Sequence, residues 1–173
     1  MPEQGLLDVL RRSGGLAAVS RQLEITPPLA LAAASALLPL VRGGFRRRVE
    51  KADSLGTGLT ELLVWLEGLG GGSLAGAVLQ SDAVSPDAGQ TILADIFGPQ
   101  LTRAVVAEAA VQSKVTPATV QQVLPLLAML AGGYVAARAG RMSAADRLAE
   151  LGPLLDLEGQ PNPLDALSGI ADH

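Results

Sequence analysis

The sequence predicts an all-α fold: a multihelical bundle built from two related helical units and closed by a short Pro/Gly/Asp-rich C-terminal tail. Three observations carry that expectation. Val115 to Ala137 holds no charge between Lys114 and Arg138, and Val120, Val123, Leu124, Leu127, Leu130, Ala131 and Tyr134 recur along it at steps of three and four, the spacing of a buried helix. A blurred copy of this stretch lies earlier, from Ile25 to Arg48. Apolar residues make up 49% of the 173, mostly Ala, Leu and Val, and no run of alternating β-branched and polar residues stands out. Small side chains let helices approach closely, whereas a sheet needs the branched and aromatic residues that are scarce here.

The elements follow in order. Gly5 to Arg12 is a short amphipathic helix with Leu6, Leu7, Val9 and Leu10 apolar, broken by Ser13-Gly14-Gly15. Leu16 to Leu23 forms a second helix. Thr26-Pro27-Pro28 then starts a third, because threonine is a good N-cap and proline fits the first turn, where its missing N–H costs nothing. That helix runs through Leu29, Ala33, Leu37, Leu40 and Val41, and Pro39 is expected to kink it or end its regular ladder. Gly43-Gly44 is either a break or a close-packing point, with helix continuing from Phe45 toward Asp53 behind a basic face. Asp53 to Gly58 reads as a loop, Thr60 to Leu69 as a helix, Gly70 to Ser73 as a flexible joint, and Leu74 to Leu79 as a short apolar segment. Ser81 to Gln90 is polar and turn-rich, and is expected to divide the halves.

The second half repeats the plan of the first. Thr91 to Phe97 answers the first short helix, Gly98-Pro99 the first glycine break, and Leu101 to Gln112 the second helix. Thr116-Pro117 answers Thr26-Pro27, and Gly132-Gly133-Tyr134 answers Gly43-Gly44-Phe45. This gives a first unit over 1–80, a second over 81–140, and a C-terminal helix and tail over 141–173, all sharing one compact domain. In the tail, Ser143 is placed to cap a helix over Arg141 to Leu151 built on Ala144, Leu148 and Leu151.

Composition narrows function mainly by exclusion. There is no cysteine, which removes disulfides, zinc-thiolate sites and a cysteine nucleophile. His173, the only histidine, ends the chain, so a Ser-His-Asp arrangement lacks a base. Gly71-Gly72-Ser73 lacks both the final glycine of a nucleophile elbow and the Lys-Ser/Thr of a phosphate loop. The carboxylate pairs Glu61/Glu67 and Asp82/Asp87 sit in exposed, polar segments rather than in the apolar setting that paired acid–base carboxylates use. No enzymatic activity, cofactor or metal is expected. The N-terminus is too polar for a secretory signal, and a cytoplasmic location is the default. The apolar part of the uncharged stretch, Val123 to Ala137, spans about 22 Å as a helix, short of the ~20 residues a bilayer core requires. It therefore reads as a core helix rather than a transmembrane segment.

The wording of several segments resembles the YidB-like family of bacterial proteins. The early LLDVL, the ILADIFG of Ile92 to Gly98, and the helix pair Leu101 to Gln112 and Thr116 to Tyr134 with VLPLLAMLAGGY carry the resemblance. It implies a multihelical fold and no particular activity. Ala94-Asp95 stands where the family has Gly-His. Some relatives end in an aspartate-rich loop, and Asp156 to Asp165 is similar in outline. Two prolines and a missing second Asp-Gly leave that segment a degenerate calcium loop, better explained by capping and turn formation.

Two features point toward a function. Residues 1–51 carry eight Lys/Arg against four Asp/Glu, while residues 52–173 carry five against thirteen. Within the first group, Arg42, Arg46, Arg47, Arg48 and Lys51 form a basic cluster near a helix end, where the helix dipole favours cations. The apolar excess and the split charge suggest a protein-interaction or self-assembly module with a protein partner or a second copy. The basic cluster suggests an anion-binding module for nucleic acid or anionic lipid.

Overall fold

The computed structural model describes residues 10–12, 14–52, 54–80, 87–143, 146 and 151. Seven helices follow one another there: α1 (Gly15–Leu23), α2 (Pro27–Glu50), α3 (Leu55–Leu69), α4 (Ser73–Gln80), α5 (Asp87–Ile96), α6 (Gly98–Ser113) and α7 (Pro117–Ala139). No strand occurs among the described residues. The fold is all-α, as expected.

The uncharged stretch is the axis of the bundle. All six other helices pack against α7, which is buried without interruption from Val123 to Gly133. A helix enclosed on every side needs no polar face, which is why α7 lacks the apolar–polar division of a surface helix. Leu37, Leu62, Leu66, Ile92, Leu124, Leu127, Leu130 and Phe45 are fully buried members of one continuous core.

The two long helices start alike. Thr26 Oγ1 accepts from the Leu29 N–H and Thr116 Oγ1 from the Thr119 N–H, each at 3.4 Å. Proline occupies the first turn of both. Each is preceded by a helix ending in a left-handed residue, Glu24 (φ 55) before α2 and Lys114 (φ 60) before α7. These are the only non-glycine residues with positive φ among those described.

Several local expectations are corrected. Pro39 does not end its helix, which runs 24 residues as α2, and α7 likewise runs 23 residues through Pro125. Of the two alternatives for Gly43-Gly44, a break or a close-packing point, the second holds, and both glycine pairs lie inside continuous helices. A Cβ on Gly44 would lie 2.8 Å from Ile96 Cδ1, and one on Gly133 would lie 2.8 Å from Ala75 Cβ. The Asp53–Gly58 loop is largely helix, since Ser54 caps α3 by accepting from the Thr57 N–H at 3.1 Å. Gly58 is there because α3 rests on the end of α2, where any Cβ would collide with the Val49 carbonyl. Of the polar segment Ser81–Gln90, residues 81–86 lie outside the described residues, and the chain is helical from Asp87 onward, with Gly89 pressed against the Pro125 carbonyl.

Of the helix expected over Gly5 to Arg12, residues 10–12 are described and helical. Ser143 acts as expected: its Oγ accepts from the Asp146 N–H at 3.3 Å. The rest of that C-terminal helix lies outside the described residues, apart from a fully buried Leu151. The Asp156–Asp165 segment lies outside them too. At the other end, Arg21 and Gln22 of α1 donate to the Leu79 and Val78 carbonyls at 3.2 and 3.0 Å, satisfying the last turn of α4 from a neighbouring helix.

Candidate functional site

The basic cluster lies on the last two turns of α2 and the residue that caps it, and the helix divides it between two faces. Arg42 and Arg46 continue the outer face that carries Ser35, Pro39 and Glu50. Arg46 Nε donates to Glu50 Oε2 at 3.1 Å, an ion pair one turn long. Arg47, Arg48 and Lys51 lie on the other side, lining a cleft of about 280 Å³.

The opposite wall of the cleft is the corner between α5 and α6, formed by Asp95, Phe97, Gly98 and Leu101. Gly98 (φ 77) makes that corner and begins α6. The first turn of α6 has no acidic residue, and Phe97 at its N-cap makes no side-chain hydrogen bond. Its leading amides therefore lack the capping partner that Thr26, Ser54 and Thr116 provide to their helices.

Arg48 is the most constrained member. Its guanidinium donates to Asp95 of α5 and lies 3.9 Å from the centroid of the Trp65 ring on α3. Burial lowers its pKa from the ordinary arginine value, and the nearby Glu61 carboxylate partly offsets that. Its Nε is buried and has no hydrogen-bond partner among the described residues. One side chain thus joins α2, α3 and α5. Lys51, by contrast, is exposed.

Sequence reasoning found the basic run but missed Asp95 and Trp65. Asp95 lies 47 residues from Arg48, and no local pattern connects them. A second cavity of about 440 Å³ lies at the C-terminal end of α7, lined by Tyr134, Arg138, Arg141 and Asp146 among others. There Arg138 donates to the Tyr134 hydroxyl at 3.4 Å, and the Asp146 carboxylate accepts from Ser143 Oγ at 3.0 Å. No group of three His, Cys, Asp or Glu converges on a metal position among the described residues.

Large apolar side chains are exposed at scattered points: Leu29 on α2, Val64 on α3 and Val111 on α6. Helices α2 and α7 are both long and apolar enough to cross a membrane, and 56% and 78% of their most apolar windows are buried inside the fold. No family model, curated protein or solved structure matches this chain.

Proposed function

We propose that this chain is a non-enzymatic helical module that acts by binding a protein partner or a second copy of itself through the outer face of α2. One observation carries the reading. Pro28, Leu29, Ser35 and Pro39 are exposed and Ala32 and Ala36 half-buried along that face, yet no charge occurs from Ile25 to Val41. Outer faces of helices in water normally carry charged residues. A face of alanine, serine and proline instead favours close approach by another helix. Arg42 and Arg46 border this patch with positive charge, and the acidic excess of residues 52–173 gives a second copy an opposite sign to offer.

The same reading includes a duplication. Buried positions coincide across the offset that relates Thr26 to Thr116: Ala30 with Val120, Ala33 with Val123, Ala34 with Leu124, Leu37 with Leu127, and Leu40 with Leu130. The left-handed turns at Glu24 and Lys114 share that offset. The two helix pairs, α1–α2 and α6–α7, are then related units, and the resemblance to the YidB-like family belongs to this proposal. Gln121 and Gln122 of α7 are exposed, whereas their counterparts Leu31 and Ala32 are apolar and half-buried, so the α2 face is where the copies differ toward contact. Both long helices are read as core helices of a cytoplasmic protein, supported by the enclosure of α7.

Light scattering across a wide concentration range tests the contact face, paired with photo-cross-linking from position 35 in cells. Concentration-dependent mass, or a discrete adduct at position 35, is expected, and Ala32→Glu with Ala36→Glu should abolish it. A monomer at every concentration with no adduct overturns the reading.

A further inference from the structure

The cleft on the opposite side of α2 is not used by that contact face and does not depend on it. We propose that the Arg47–Arg48–Lys51 cleft binds a phosphoryl group, the chemistry shared by inorganic phosphate, pyrophosphate and a nucleoside monophosphate. Three cationic side chains within about one helical turn line the cleft, and among the described residues Asp95 is the one carboxylate in its lining. That carboxylate is engaged by Arg48. Arg47 and Lys51 stand four apart, so they project from the same side of α2. The facing wall is the start of α6, which contributes Gly98 and Leu101 to the lining and carries no acidic side chain in its first turn, and the helix dipole there favours an anion.

At about 280 Å³ the cleft lies at the small end of the ~300–1,000 Å³ range of small-molecule pockets and has room for a phosphoryl group. The sequence cluster as a whole invites a nucleic-acid reading, but the fold turns Arg42 and Arg46 to the other face. What remains is a concave, local site.

Titration calorimetry on the full chain tests this with inorganic phosphate, pyrophosphate and adenosine monophosphate, each at low and moderate salt, with phosphatidylglycerol vesicles as the comparison. Saturable one-to-one binding of at least one is expected, and the tightest of the three identifies the source. Arg47→Ala with Lys51→Ala should weaken it by about tenfold or more, whereas Arg42→Ala should leave it within about twofold because that residue faces away. Matching thermal melts for the variants show that the fold is kept. Absence of binding up to about 10 mM, equal losses in the Arg42 and Arg47/Lys51 variants, or binding only to phosphatidylglycerol vesicles each overturns the proposal.

Discussion

The Arg48 guanidinium sits over the Trp65 ring, 3.9 Å from its centroid, while donating to the Asp95 carboxylate. The stack and the ion pair hold the end of α2 to two other helices at once. A partly desolvated cation–π contact contributes about 1 kcal/mol and an exposed ion pair about 0–1 kcal/mol. The Asp95 side chain is 41% exposed, which puts the ion pair at the weak end. Arg48→Ala is therefore expected to cost about 1–2 kcal/mol, or roughly 3–6 °C in melting temperature for a chain of this size. Asp95→Ala should cost less than half of that. Arg48→Lys should fall between, keeping the charge and losing the planar stack. Trp65 is the only tryptophan, so its fluorescence reports the stack directly: both Arg48 variants should shift its emission, and Asp95→Ala should shift it less.

The glycines of this chain divide into those that are filled and those that are not, and alanine substitutions separate them. Gly133 faces the Ala75 backbone and Gly89 the Pro125 carbonyl, each too close for a Cβ, while Gly68 and Gly76 have nothing within 4 Å. Gly133→Ala and Gly89→Ala should each destabilise by about 1–3 kcal/mol or more, since backbone must move to make room. Gly76→Ala and Gly68→Ala should stabilise by up to about 1 kcal/mol, through better helix propensity without a clash. Urea unfolding of the four variants measures this. Destabilisation by Gly76→Ala, or tolerance of Gly133→Ala, contradicts the packing of α4 on α7.

That division explains which parts of the fold were legible in the sequence. The starts of α2 and α7 were readable because Thr-Pro capping and three-to-four spacing are local signals. The starts of α3 and α5 were not. Gly56, Gly58 and Gly89 look like loop residues, and the reason for Gly58 and Gly89 is a neighbouring backbone, Val49 in one case and Pro125 in the other. The candidate site divides in the same way. The five basic residues were visible as a run, but their separation into an outer face and a cleft depends on where the α5–α6 corner lands. Asp95 and Trp65 acquire their roles only from that corner and from α3.

The threonine caps offer a matched pair. Thr26 and Thr116 each accept one backbone N–H at the same distance, and each lies in front of a helix-starting proline. Thr26→Ala and Thr116→Ala should each cost about 1 kcal/mol, the usual loss when an N-cap oxygen is removed. Replacement by serine or aspartate should restore most of it. A loss at Thr116 several times larger than at Thr26 would mean that the α7 cap also orders the core around it, because α7 touches each of the other six described helices.

The sharpest comparison between the two helix pairs concerns Glu24 and Lys114. Both adopt left-handed backbone, φ 55 and φ 60, at the end of the preceding helix, a conformation that costs a side-chain-bearing residue about 1–2 kcal/mol. Glycine has no such penalty, though it loses more backbone freedom on folding. Glu24→Gly and Lys114→Gly should therefore each stabilise the protein, by roughly 0.5–1 kcal/mol, and asparagine should give part of the same gain. Alanine keeps the penalty and should give no gain at either position. Thermal melts of the six variants test this. Parallel responses at the two sites are what related units require, because the same turn would then be solving the same problem twice. A gain at one site and a loss at the other would mean that the two turns are held by different surroundings and share only their appearance.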